Sequence, residues 1–174
     1  MRDVALALSR PMDVSIVNKL PGRVIGITPR EGPYADVAVD LGGPRVGVGY
    51  EILGAGSGAM GGAALTSFQT PLATLHKFNG WADLFLTTPA NGLRDAYAGL
   101  GYALPTARGP VNLSVIYHRF DSDRLDQNYG DEWNAQATFK LSKNIGLLVK
   151  YADYRAQQFG TDTRRLWLQM DYLL

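Results

Sequence analysis

The sequence has no cysteine in 174 residues, which excludes disulfides and Cys-ligated metal centres. Histidine occurs only at His76 and His118, too few for a transition-metal cluster. An excess of either charge is missing too, since 17 Lys and Arg face 16 Asp and Glu. So balanced a chain offers no basic face to nucleic acid. No apolar run approaches the ~18 residues of a membrane-spanning helix. A signal peptide is also not visible, because Val4–Leu8 is broken by Ser9, Arg10 and Pro11.

What the chain does have is alternation. Trp133, Ala135, Ala137, Phe139 and Leu141 interleave with Glu132, Asn134, Gln136, Thr138 and Lys140. The same split recurs at Val111–Leu113–Val115–Tyr117, at Ile145–Leu147–Val149–Tyr151 and at Leu166–Leu168–Met170–Tyr172–Leu174. Successive side chains of a strand point to opposite faces, so each segment has one wholly apolar side. Seven strands are expected, at 35–41, 45–53, 94–104, 111–120, 131–141, 145–154 and 164–174. Val14–Val17 and Val24–Ile27 could add one or two more, although Pro11, Pro21, Pro29 and Pro33 interrupt them.

Alternation alone also fits a half-buried soluble sheet. Two further patterns favour a bilayer. With the C-terminus on the inner side, the connections 42–44, 105–110 and 142–144 are short. Those at 54–93, 121–130 and 155–163 are long and lie outside, as in outer-membrane barrels. On the apolar face, Tyr50, Tyr117, Trp133 and Tyr151 fall near the outer strand ends, and Tyr102, Phe139 and Tyr172 near the inner ones. Two aromatic girdles around an aliphatic band suit the two bilayer interfaces. The expectation is an all-β fold, an antiparallel transmembrane β-barrel in the bacterial outer membrane with lipid as its partner. Residues 1–33 form a poorly defined N-terminal segment, and 34–174 supply barrel strands with the long extracellular loop 54–93. Because export needs a leader, the chain is expected to be the C-terminal portion of a larger barrel.

Several motif matches fail on context. Gly54-Ala55-Gly56-Ser57-Gly58-Ala59 fits a dinucleotide fingerprint, but Gly61-Gly62 opposes the required helix, and no acid lies between Glu51 and Asp83. Ser114 and His118 share a strand face roughly 13 Å apart, far beyond the ~3 Å a nucleophile and its base need. Asp121, Asp123 and Glu132 match calcium-loop positions, yet the position that calls for glycine holds Asp126. No enzyme activity, cofactor or metal is expected.

Three segments carry a resemblance. Gly49-Tyr50-Glu51, the run TPLATLHKFNGWAD from Thr70 to Asp83, and TPANGLRDAY from Thr88 to Tyr97 resemble the alginate-export-like family of bacterial outer-membrane barrel porins. The resemblance covers about 35–174 and is most specific in the loop. It implies a channel through which a solute diffuses passively, an anionic polysaccharide such as alginate being the candidate, and a pore larger than eight strands enclose. The alternative is a small, filled, non-conducting barrel serving as an anchor or adhesin.

In a channel, the polar strand faces line the lumen. The pore-lining candidates are Arg45, Glu51, Asp95, Tyr97, His118, Glu132, Gln136, Lys140, Lys150, Arg165 and Asp171, with Asp36 and Asp40 also facing inward. Their mixed signs allow mutual pairing across neighbouring strands or a constriction. The bulky loop either caps the barrel outside or folds into the lumen. In the second case His76, Lys77, Trp81 and Asp83 narrow the passage.

Overall fold

The computed structural model describes residues 23–29, 35–40, 43–56, 67–70 and 79–173. Its described part is all-β: β1 (Arg23–Pro29), β2 (Ala35–Asp40), β3 (Arg45–Leu53), β4 (Leu93–Leu104), β5 (Val111–Asp121), β6 (Asn128–Lys140), β7 (Ile145–Ala156) and β8 (Thr163–Tyr172). They form one eight-stranded sheet in chain order, each strand antiparallel to the next. Among the described residues no pairing joins β8 to β1, so the sheet is open. No described helix is long and apolar enough to cross a membrane, which says nothing about crossing by strands.

The Val24–Ile27 segment is a strand despite its prolines. Pro29 ends β1 on the outermost strand, where the missing N–H costs the ladder least. Val14–Val17 lies outside the described residues.

Two expected loops come out shorter than the sequence suggests. β6 begins at Asn128 and β7 runs to Ala156, leaving only 122–127 and 157–162 as connections. Neither is longer than the opposite turn at 105–110, so the contrast in loop length rests on 54–92 alone. The cause is a bulge. Phe120 pairs with Gly130 and Asp121 with Asn128, which leaves Tyr129 as the extra residue. Gly130 takes φ +140°, and a Cβ there would lie 2.2 Å from the Arg155 carbonyl oxygen, so only glycine lets the strand pair through the bulge. The extra residue also turns inward: Tyr129 is buried and its hydroxyl donates to the Gly92 carbonyl at 3.0 Å.

The register sorts the side chains by chemistry. One face carries Val48, Leu100, Val115, Ala135, Val149, Leu166, Leu168 and Met170, with Tyr117 and Trp133 at one end and Tyr102, Phe139 and Tyr172 at the other. Among the described residues nothing covers it: Leu100 is 51% exposed, Trp133 53% and Leu168 74%. From Trp133 to Phe139 the band is about 20 Å tall along the strand. Ion pairs Arg119–Asp121, Arg155–Asp153 and Arg164–Asp153 lie at its loop end.

The core is on the opposite face, at the end bearing the long connection. Leu53, Leu93, Phe120, Ala152 and Tyr154 from the strands close around Trp81, Ala82 and Phe85 from that connection. Phe85 is the hub. Its ring centroid is 4.4 Å from that of Phe120, 5.3 Å from Phe159 and 6.0 Å from Tyr154. Tyr154 is fully buried, and its hydroxyl donates to the Tyr129 and Phe159 carbonyls at 2.7 and 2.9 Å.

Candidate functional site: the loop-covered polar face

Period-two alternation places every strand-borne pore-lining candidate on one face. Register row by row, that face reads Glu51–Asp95–Phe120, then Tyr97–His118–Glu132–Tyr154, then Arg45–Gly101–Ser114–Gln136–Lys150–Trp167, then Lys140–Gly146–Asp171. Arg165 sits between the second and third rows, beside Ala152. Asp36 and Asp40 lie on β2, at side chains outside the described ones. His76 and Lys77 also lie outside the described residues.

The two described loop candidates reach this face. Trp81 is buried with its ring over Lys150, whose Nζ stands 4.3 Å from the ring centroid and 5.6 Å from that of Trp167. Asp83 pairs with Arg165 across 82 residues of sequence. Between them, Ala82 N–H donates to Glu132 Oε1 at 2.8 Å, and the Asn79 amide donates to Glu51 Oε2 at 2.8 Å. The segment from Asn79 to Phe85 therefore lies against the polar face. It is not a cap standing clear of the sheet.

Glycine makes this approach possible. Gly80 has φ +83°, and a Cβ there would lie 2.5 Å from Glu132 Oε2. Backbone and carboxylate could not come so close with any side chain between them. The base of the loop is tied as well. Ser67 and Gln69 bond the Thr88 carbonyl, Ala55 N–H donates to Asp123, and Asp123 N–H donates to the Asn91 carbonyl.

Burial divides the charges. Asp95, His118 and Glu132 are buried and do not line open space, and Glu132 accepts the loop's Ala82 N–H. His118 Nδ1 lies 2.9 Å from Asp95 Oδ2, and the imidazole stacks 5.4 Å from Phe120. Glu51 is half-buried with Asn79 as partner. Exposed Arg45, Lys140 and Asp171 stand away from the described loop contacts, whereas Arg165 and half-buried Lys150 meet the loop at Asp83 and Trp81. Among the described residues, no three His, Asp or Glu side chains assemble in a way that could hold a metal ion.

Sequence reasoning missed Asn79, Phe85, Phe120, Asn134, Tyr154 and Trp167. A signal was present for the strand residues. Ile116, Phe120, Ala152 and Tyr154 put apolar or aromatic groups on otherwise polar faces, at neighbouring register positions. Such a patch needs a covering layer.

No family model matches the sequence, and no solved structure matches it. Among curated proteins, the chain is similar to the molybdenum import ATP-binding protein ModC of Mesorhizobium japonicum, 42% identical over 45 residues. That stretch is 26% of this chain and only 12% of that protein. The sequence contains no Gly-Lys pair, so it lacks the G-x-x-x-x-G-K-[ST] run that cradles nucleotide phosphates.

Proposed function

We propose that this chain forms part of the wall of a bacterial outer-membrane β-barrel channel for passive diffusion of a polar solute. The observation that carries the reading is the inverted burial. The apolar band across one face of six consecutive strands, β3 to β8, is largely exposed, while charged and amide side chains of the other face, among them Asp95, Glu132 and Asn134, are buried. In water this arrangement wastes the hydrophobic driving force and invites aggregation. Against lipid it is the arrangement expected, with an aliphatic band between aromatic girdles. Open sheet edges are not tolerated in hydrocarbon, so β1 and β8 would be joined to further strands in the complete wall.

The docked loop favours a channel over a filled anchor. An eight-stranded barrel is filled by its own side chains, leaving no room for Trp81, Ala82 and Phe85 to enter as an added layer. A wider barrel accommodates that layer and keeps a passage beside it. The inward charges are mixed: Arg45, Lys140, Lys150 and Arg165 share the face with Asp171, while Asp83 pairs with Arg165 and Asp40 stands opposite Arg45 in the register. The family resemblance points to an anionic polysaccharide such as alginate as that solute.

Single-channel recording in planar bilayers tests the reading, with heat-modifiable gel mobility as the check on folding. Stable open steps with anion preference are expected. A folded barrel that passes no current would refute the channel and favour the filled anchor.

A further inference from the structure

The exposed apolar face ends differently at its two ends. At the loop end it passes into charge: one register row reads Ala96–Arg119–Asp131–Arg155, and the row beneath it ends Trp133–Asp153–Arg164. Near the other end a row of the same face reads Leu104–Val111–Phe139–Leu147–Met170, with no charge in it. A bilayer with the same lipid in both leaflets would offer both ends one headgroup chemistry. So unequal a face fits a membrane whose leaflets differ.

The signs at the loop end are mixed, but depth sorts them. The Arg119 and Arg164 side chains are 59% and 60% exposed, whereas Asp153 is 22% exposed. Arg119 Nε donates to Asp121 and Arg164 Nε to Asp153, each at 3.3 Å, so among the described residues their Nη groups remain for an outside acceptor. Arg155 is held by Asp153 at 3.1 Å and stands 3.7 Å from Asp162. The aspartates therefore aim the guanidiniums, and a planar guanidinium suits the oxygens of a phosphate. Arg155 and Arg164 share Asp153 and form one cationic point. Arg119 forms the other, two strands and about 10 Å from Arg155. One phosphate cannot serve both points, but a disaccharide headgroup with a phosphate on each sugar can. Just below lie Ala135, Tyr151 and Leu166, where the exposed band that would receive acyl chains begins.

We infer that this rim binds a bisphosphorylated glycolipid of the outer leaflet, with Arg119 on one phosphate and Arg155 and Arg164 on the other. The inference rests on the exposed face meeting lipid and not on conduction, so it can fail separately from the channel.

Native mass spectrometry of the full folded chain, released from detergent micelles, tests it with diphosphoryl lipid A, monophosphoryl lipid A and phosphatidylglycerol as probes. Retention of the diphosphoryl form is expected, about tenfold tighter than either of the others. Arg119→Gln combined with Arg164→Gln should weaken it about tenfold or more while heat-modifiable mobility is kept. Arg108→Gln, in the exposed turn at the opposite end, should change nothing. Arg155→Gln alone serves if the double variant fails to fold, with a loss of about threefold. Equal retention of all three lipids, or retention unchanged by the Arg119 and Arg164 substitutions, would overturn the site. A barrel that conducts yet retains no lipid A would overturn it and leave the channel standing. Selective retention by a folded barrel that passes no current would support the site and refute the channel.

Discussion

Replacing Gly80 by alanine tests whether the loop is docked as described. The position is left-handed at φ +83°, which disfavours any L-residue by roughly 1–2 kcal/mol. The new Cβ would lie 2.5 Å from Glu132 Oε2, 2.9 Å from Cδ and 3.0 Å from Oε1. A free carboxylate could swing aside. This one is fully buried, and its Oε1 accepts the Ala82 N–H at 2.8 Å, two residues from the mutated site. Retreat by even ~0.5 Å strains or breaks that bond and leaves a buried donor unsatisfied, a penalty of about 1–3 kcal/mol. Together the terms oppose docking by about 2–5 kcal/mol, a rise of ~30-fold or more in the open population. Limited proteolysis of the folded protein in micelles reads that population when opening is fast relative to cleavage. Gly109→Ala is the control: it shares a positive φ, +109°, but its Cβ would meet nothing within 4 Å. A cleavage rate for Gly80→Ala equal to that of wild type, or of the control, would refute the contact with Glu132.

Arginine at Val115 or Leu147, on the exposed apolar face, should cost about 2–4 kcal/mol of stability in bilayers. At Ser114 or Gln136, on the opposite face, it should be tolerated; equal penalties by urea titration in vesicles would reverse the assignment of faces. Asp83→Ala and Arg165→Ala should show a coupling of about 0.5–1 kcal/mol in a double-mutant cycle of loop protection. The value is modest because the Arg165 side chain is 43% exposed and solvent screens the pair. Deleting 68–86 should raise single-channel conductance, whereas unchanged conductance would show that the loop does not narrow the passage.

Strand positions and their two faces were legible because strand periodicity is local. A polar–apolar alternation such as Glu132 to Leu141 states both the element and its sides without reference to any partner. The reading was weakest where pairing overrode local composition. Asn128-Tyr129-Gly130 looks like a loop, yet it extends β6 because Gly130 allows a bulge and β7 continues alongside. Arg155 and Ala156 join β7 for the same reason. The loop's destination was open in the sequence, since a run rich in Phe68, Trp81 and Phe85 must bury itself somewhere but does not say against what.

By itself the sequence determined the secondary structure class, the register-compatible faces and the absence of thiol chemistry, because each depends on residue identity at fixed local spacing. Only the tertiary structure decided that Glu51, Asp95 and Glu132 are wholly or partly buried while Arg45 and Lys140 stay exposed. It alone brought Asp83 to Arg165 and Trp81 to Lys150. Those outcomes depend on which segment covers which part of a face. That choice is made by packing between residues tens of positions apart, where chain spacing carries no information.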